Sequence, residues 1–172
     1  MTGALLHTER FELWRPAASD LAQLYALTEH DETRRYLGGL VPDMGDSHAR
    51  LLRNSGSWLL HGYGTFMVRL RGRPEIIGNC GVFRSWRGLP GLNDAAEAGW
   101  IIHRDHWGKG VAGEVMRAVL DWFDATHGRQ RIGCMIEQDN TASQRLATGL
   151  GFAEYLRHPD AAGRELVLYE RQ

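Results

Sequence analysis

His103-Arg104-Asp105-His106-Trp107-Gly108-Lys109-Gly110-Val111-Ala112 lies between a strand pattern and the longest helical pattern of the chain. The strand is predicted over Glu97 to His103, and the helix over Val111 to His127. Val111, Val115 and Val119, with Ala118, Trp122 and Phe123, line one side of that helix, and Gly128 ends it. A helix start presents unpaired N–H groups and a partial positive charge. Glycines let the backbone come close to an anion and take up turns that other residues resist. Lys109 adds a full charge. Together these parts suit a pyrophosphate, although a tight strand-to-helix turn also needs glycine for its own geometry. The stretch matches neither GxxxxGK[ST] nor GxGxxG, so a nucleoside triphosphate or dinucleotide site is weakly supported.

Working outward, Leu6 to Arg15 reads as one strand ended by Pro16. Ser19 or Asp20 caps a helix to about Thr28, with Leu21, Leu24, Tyr25 and Leu27 apolar. A short helix follows over Asp31 to Leu37, stopped by Gly38-Gly39, then a loop over Val41 to Gly45 containing Pro42. Asp46 is the expected cap of a helix to about His61, with Ala49, Leu52, Leu59 and Leu60 as its buried positions. Strands are predicted over Thr65 to Leu70 and Glu75 to Arg84, separated by the turn Arg71-Gly72-Arg73-Pro74. A loop covers Ser85 to Asp94. Beyond the long helix come a strand at Arg131 to Glu137 and a helix at Asn140 to Leu150, with Ala142, Leu146 and Leu150 on one face. A final strand pair, Ala153 to Arg157 and Glu165 to Glu170, closes the chain. The order is a mixed α/β pattern without linker or repeat, so residues 1–172 are expected to form a single domain.

Composition narrows the function. A chain of 172 residues with 43% hydrophobic and 24% charged residues is ordinary for a soluble globular protein. Lys+Arg number 20 against 21 Asp+Glu, a formal net charge of −1, so no broad basic field is present to hold nucleic acid. The two cysteines, Cys80 and Cys134, are too few for a disulfide framework and form no CxxC pair. No signal peptide or membrane-spanning run is read, so a cytoplasmic location and no membrane partner are expected. His103 and His106 fall on a strand end and a loop with no further ligand cluster, so no metal is expected.

Trp107-Gly108-Lys109-Gly110-Val111-Ala112 resembles the Gln/Arg-x-x-Gly-x-Gly/Ala cradle of the GNAT superfamily of acetyl-CoA-dependent N-acetyltransferases, with Trp107 departing from the usual Gln or Arg. The Trp-Gly-Lys-Gly form, the opening Leu6-His7-Thr8-Glu9-Arg10-Phe11-Glu12-Leu13 and the strand Ala96-Glu97-Ala98-Gly99-Trp100-Ile101-Ile102 resemble the RimL-type branch, which acetylates N-termini of ribosomal proteins. Asn140-Thr141-Ala142-Ser143 and Gly149-Leu150-Gly151-Phe152 fit the family's second motif. The resemblance spans nearly the whole chain. It implies an α/β (α+β) GNAT fold, with a mixed, mostly antiparallel twisted sheet of about six to seven strands flanked by about four to five helices. A splayed strand pair would form the CoA cleft. It also implies acetyl-CoA as co-substrate, held by Ile101, Ile102, His103, Trp107, Gly108, Lys109, Gly110, Val111, Ala112, Gly113, Asn140 and Ser143.

Acetyl transfer to an amine needs a neutral amine, a polarised carbonyl and a thiolate that can leave. Holding both substrates together supplies much of the rate. Backbone N–H groups at Ile101 or Ile102 are placed by the resemblance to polarise the carbonyl. The family's thiol-protonating tyrosine is replaced by Ala147, and the RimL-type resemblance offers Ser143 as the donor, with Tyr155 as a fallback. The resemblance implies that Asn140 hydrogen-bonds the pantetheine or nearby CoA atoms, and it also reads as a helix cap, two roles that can hold together. Glu97 is the expected base, acting through water, with Glu137 as runner-up. An α-amine of pKa about 7.7–8.0 is roughly a tenth neutral at pH 7 and needs little help, whereas a lysine amine near 10.4 needs much.

The leading expectation is an N-acetyltransferase acting on a primary amine, with a protein N-terminal α-amine first and a polyamine, amino acid or aminoglycoside as rival. Asp43, Asp46, Asp94 and Glu97 lie where an acidic acceptor pocket would favour polyamines or aminoglycosides. Trp86, in the glycine-rich loop, is placed to wall that pocket. A non-catalytic CoA-binding module is the competing class. The chain is expected to act as a monomer or homodimer.

Overall fold

An eight-stranded sheet carries the fold, and the computed structural model describes residues 3–38, 43–93 and 95–172. Gly39, the expected loop residues Val41 and Pro42, and Asp94 lie outside the described residues. The chain opens with β1 (Leu6–His7) and β2 (Phe11–Trp14), an antiparallel hairpin where the alternation reads as one strand. The turn is closed by Thr8, whose N–H donates to Phe11 O at 2.9 Å and whose hydroxyl accepts the Phe11 N–H at 3.0 Å. This hairpin raises the strand number above the expected six to seven.

A 3-10 turn at Ala18–Asp20 leads into α1 (Leu21–Leu27). Asp20 is buried, accepts the Ala17 N–H at 2.8 Å and pairs with Arg69 at 2.8 Å. Next, α2 (Asp31–Arg34) is shorter than predicted, and Leu37 N–H returns to Arg34 O in a tight turn. The long helix α3 (Met44–His61) starts one turn earlier than expected, because Asp43 rather than Asp46 accepts the free N–H groups of Gly45 and Asp46.

The buried face of α3 also differs from expectation. Leu52, Leu59 and Leu60 are 58%, 85% and 76% exposed, and Ala49 is half-buried. Leu51 and Trp58 face the core together with Ser47, Asn54 and Ser57. Partners on the sheet and in the turn that follows α3 explain the rotation. Trp58 donates to Thr65 O at 2.9 Å, Ser57 donates to Tyr63 O at 2.8 Å, and Asn54 donates to Asn79 Oδ1 at 3.3 Å. Satisfied in this way, the polar groups lose little on burial.

The sheet continues through β3 (Thr65–Leu70), β4 (Ile76–Phe83) and β5 (Ala96–Ile102). A 3-10 turn at Arg104–His106 then precedes α4 (Val111–His127) and β6 (Ile132–Glu137). After these come α5 (Thr141–Gly149), β7 (Ala153–Pro159) and β8 (Glu165–Arg171). The strand order is β1-β2-β3-β4-β5-β6-β8-β7, and every neighbouring pair is antiparallel except β5 with β6. This is the mixed, mostly antiparallel sheet with helices on both faces that the sequence implied.

The main core packs α4 and α5 on one face of the sheet. Val115, Val119 and Phe123 are fully buried there, each worth about 1.5–3 kcal/mol as buried side chains. Trp122 is half-buried at the edge, against Trp58 and Phe66. In α5, Leu146 and Leu150 face the core as expected, whereas Ala142 is exposed and Ala147 is buried in its stead. A second core on the other face joins α1 and α3 to the sheet through Leu24, Leu27, Leu51, Met67 and Ile76. Among the described residues no helix is long and apolar enough to cross a membrane.

The one parallel pair shapes the molecule's opening. Strands β5 and β6 are in register only at Ala96↔Ile132 and Glu97↔Gly133, and pairing stops beyond that point. Their C-terminal halves diverge and leave a wedge through the sheet, the splayed pair the resemblance implied.

Candidate active site

The wedge widens into a cleft of about 1930 Å³. The start of α4, the start of α5, the cleft-facing side of α3 and the loop after β4 all line it. Its α4 end is the glycine loop. Gly108 and Gly110 have φ of +71° and +72°, the left-handed region that other residues resist. Gly110 is the residue before α4 and has no side chain to cap the helix, so the first N–H groups stay open toward the cleft. Trp107, Gly108, Gly110, Val111, Ala112 and Gly113 line this end. Trp107 anchors the loop by donating its indole N–H to Ile102 O at 2.7 Å.

Lys109 and His103 are placed otherwise than the sequence suggests. Lys109 Nζ donates to Asp105 O at 2.8 Å, and Lys109 is not among the cleft-lining residues. His103 uses its N–H on Ile77 O at 2.8 Å, while its Nδ1 accepts the Asp105 N–H at 3.3 Å. The cation that does line this end is Arg117, nearly two turns into α4, whose Nη1 lies 3.4 Å from where a Cβ on Gly113 would stand.

Along β5, N–H groups alternate in direction. His103 N–H bonds to β4, so that of Ile101 points to β4 as well, while those of Trp100 and Ile102 point into the wedge. Ile102, and Trp100 two residues before it, therefore offer main-chain donors, and Ile101 does not. Ile101 instead packs its side chain against the α1–α3 core.

Across the wedge, Asn140 caps α5, and its Oδ1 accepts the Ser143 N–H at 3.1 Å. Its amide N–H groups remain for other partners, and the residue lines the cleft. Ser143 Oγ accepts the Trp100 indole N–H at 3.1 Å, which leaves the hydroxyl hydrogen free to point into the cleft. Ala147, at the position of the family's tyrosine, is fully buried in the main core and does not line the cleft. Tyr155 is also away from the cleft. It donates its hydroxyl to Pro90 O at 2.8 Å, and burial, with the Arg131 charge opposing, pushes its pKa up.

Glu97 lies at the narrow end of the wedge on the α3 face and is 3% exposed. Arg87 grips it with two bonds, Nη2 to Oε1 at 2.8 Å and Nε to Oε2 at 3.0 Å, and Ser85 donates to Oε2. Oε1 keeps a further lone pair. Glu137, at the end of β6, accepts from Arg164 at 3.3 Å. Trp86 is 83% exposed on the rim. Cys134 is buried at 1% exposure and its thiol is pushed well above the ordinary range, chiefly by desolvation; Cys80 is pushed up to about 12 for the same reason. Among the described residues, no three His, Cys, Asp or Glu side chains gather as a metal site would need.

Arg50, Arg53, Arg84 and Arg87 also line the cleft, all toward α3. Sequence reading overlooked them because they come from two segments with no local motif. The helical spacing of Arg50, Arg53, Asn54 and Ser57 was the available signal. Asp43 and Asp46, expected near an acidic pocket, do not line the cleft.

The sequence model of the acetyltransferase (GNAT) domain family matches residues 10–153. The chain is 29% identical over 169 residues to a Bacillus licheniformis protein described as uncharacterized N-acetyltransferase p20, across 95% of this chain and 92% of that protein. A putative GnaT-family acetyltransferase from Bordetella pertussis superposes with a TM-score of 0.87 at 30% identity, covering 97% of this chain and 98% of that one. RimL, a ribosomal L7/L12 α-N-protein acetyltransferase solved in complex with coenzyme A, shares the fold with a TM-score of 0.77 at 18% identity, over 98% of this chain and 97% of that one.

Proposed function

Because this chain belongs to the acetyltransferase (GNAT) domain family, we propose that it moves the acetyl group of acetyl-CoA onto a primary amine by direct transfer in a ternary complex. The observation that carries this reading is the wedge between β5 and β6, with a helix start framed by two left-handed glycines at one end and the Ser143 hydroxyl across it. Open N–H groups at Gly110–Gly113 and the Arg117 guanidinium suit a pyrophosphate and its neighbouring phosphate. The divergent edge of β5 suits the amide-bearing pantetheine arm. Acetyl-CoA supplies an activated thioester carbonyl.

The residues of the chain supply the rest. Ile102 N–H, pointing into the wedge, donates to the carbonyl oxygen as negative charge gathers there. The neutral amine nitrogen bonds to the carbonyl carbon and the carbon–sulfur bond breaks. Ser143 donates a hydrogen bond from its hydroxyl to the departing thiolate, directly or through water, held in orientation by Trp100, and keeps its proton. Glu97 Oε1, five residues along β5 from Ile102, takes up the amine proton through a chain of waters. An α-amine suits this machinery, since about a tenth is already neutral at pH 7. A protein N-terminus is the first acceptor, in keeping with the likeness to RimL.

Calorimetry with acetyl-CoA, followed by thiol-release kinetics on N-terminal peptides and small amines, tests the reading. Micromolar binding with amine-dependent release of CoA is expected. Absence of acetyl-CoA binding overturns it, and binding without transfer to any amine favours a CoA-binding module.

A further inference from the structure

The α3 side of the cleft carries positive charge that the protein does not neutralise. Arg50, Arg53, Asn54 and Ser57 recur at helical spacing, so they share the face of α3 that looks into the cleft. Arg84 follows β4, and its N–H donates to Ser57 Oγ at 3.2 Å, which ties that strand end to the same stripe. Of the other arginines around the cleft, Arg87 is matched by Glu97 and Arg164 by Glu137 and Asp160, while Arg117 stands apart at the α4 end beside the glycine loop. The side chains of Arg50, Arg53 and Arg84 have no hydrogen bond or ion pair among the described residues. The nearest carboxylate along the helix, Asp46, is exposed one turn before Arg50 and makes no ion pair with it among the described residues.

Burial holds the Arg50 guanidinium below its ordinary value, and the Arg53 and Arg87 charges add to that effect while Asp46 opposes it. Three cations crowd one wall. Arg53 and Arg84 are exposed and Arg50 is half-buried, so it is the partly desolvated Arg50 charge that is costly until an opposite charge arrives. The phosphates of the donor do not answer this need. Their cradle lies at the other end of β5, beside α4 on the opposite face of the sheet. A polyamine or aminoglycoside would meet like charge here, against the expectation of an acidic pocket.

We infer that the acceptor is an anionic amine, a primary amine carrying a carboxylate or phosphate that Arg50, Arg53 and Arg84 hold beside the reacting centre. The inference rests on the acetyl-transfer reading and adds the class of acceptor. Guanidinium forks match carboxylate and phosphate oxygens in pairs, so the anion both binds and orients the nitrogen.

Matched amines test it with the full chain and acetyl-CoA. The pairs are free amino acids against their carboxamides, phosphoethanolamine against ethanolamine, and peptides with acidic against lysine-rich N-terminal segments, with spermidine alongside. In at least one pair the anionic member is expected to exceed its neutral or cationic partner by about 30-fold or more in kcat/KM, on the scale of charge-assisted pairing. The winning pair identifies whether the anion is a carboxylate or phosphate, and whether it is free or on a peptide. Arg53→Gln with Arg84→Gln is expected to raise KM for that acceptor about tenfold or more, while the acetyl-CoA Kd by calorimetry stays within about twofold. Arg53→Lys with Arg84→Lys recovers part of the preference, which separates charge from folding damage. Preference for the neutral member or spermidine, no response in the Gln variant, or no turnover of any anionic amine overturns the inference. Failure of acetyl-CoA to bind removes the parent reading instead, and is seen separately by calorimetry.

Discussion

Trp100 Nε1 donates to Ser143 Oγ at 3.1 Å across the wedge that divides β5 from the start of α5. The bond uses the serine's acceptor side and leaves its donor side for a ligand. Ser143→Ala is therefore expected to lower kcat by about 10- to 100-fold, at or just below the low end for loss of one hydrogen-bond donor to developing charge. The acetyl-CoA Kd should change less than threefold by calorimetry. Trp100→Phe frees the hydroxyl to rotate and should lower kcat about fivefold. Equal kcat in wild type and Ser143→Ala would show that the serine does not stabilise the leaving thiolate.

Gly110 sits at φ +72° just before α4. An alanine there has space, with Arg10 Nη2 the nearest atom at 3.7 Å, so its cost is conformational. Gly110→Ala should destabilise the fold by about 1–2 kcal/mol and weaken acetyl-CoA binding about tenfold. Arg117→Gln should weaken binding a few-fold and flatten its salt dependence. Denaturant titration and calorimetry at two ionic strengths check both.

Arg87 is the only side-chain cation that neutralises the buried Glu97 carboxylate among the described residues. Arg87→Ala leaves that charge uncompensated. The full penalty for breaking a buried pair is about 3–5 kcal/mol, and the partial exposure of Arg87 reduces it to about 1–3. Urea unfolding at pH 7 should show this loss, and adding Glu97→Gln to the variant should restore part of it. Additive losses in the double variant would mean the pair is not coupled.

Acid should loosen the N-terminal hairpin. Burial works against ionisation of Glu114, yet hydrogen bonds from Thr8 and Arg10 and the Arg10 charge hold its carboxyl below the ordinary range. A carboxyl with its folded pKa depressed stabilises the protein above its unfolded pKa, near 4.3, and that stability is lost as pH falls through the lower folded value. Wild-type Tm should thus fall below about pH 4.3 more steeply than that of Glu114→Gln. Parallel curves would exclude this linkage.

Much of the fold was legible because it follows period. The bounds of β3 and α4 match the expected strand and helix to the residue. The glycine loop was legible because left-handed turns leave a compositional mark. The β1–β2 break was not, since a threonine bonding to main chain interrupts pairing without interrupting alternation. The inner face of α3 was misread because leucines were assumed buried, whereas Ser57, Asn54 and Trp58 found partners that only the folded chain brings near. Lys109 looked like part of the cradle, yet a carbonyl four residues back holds its ammonium aside. The arginine wall joins α3 to the loop after β4, and no local pattern reports such a meeting.

Arg10, in the β1–β2 turn, bonds through its main-chain N–H and its Nε to Glu114, and through Nη1 to Lys109 O, at 3.0, 2.7 and 2.9 Å. The glycine loop thus borrows its rigidity from a segment about a hundred positions earlier in the chain. Removing or crowding the first ten residues, as a shortened gene or a bulky fused tag would do, takes away that brace without altering a single cleft-lining side chain. The loop would then have to be ordered by its ligand at each binding event, and the lost entropy would surface as weaker donor affinity far from the site of the change.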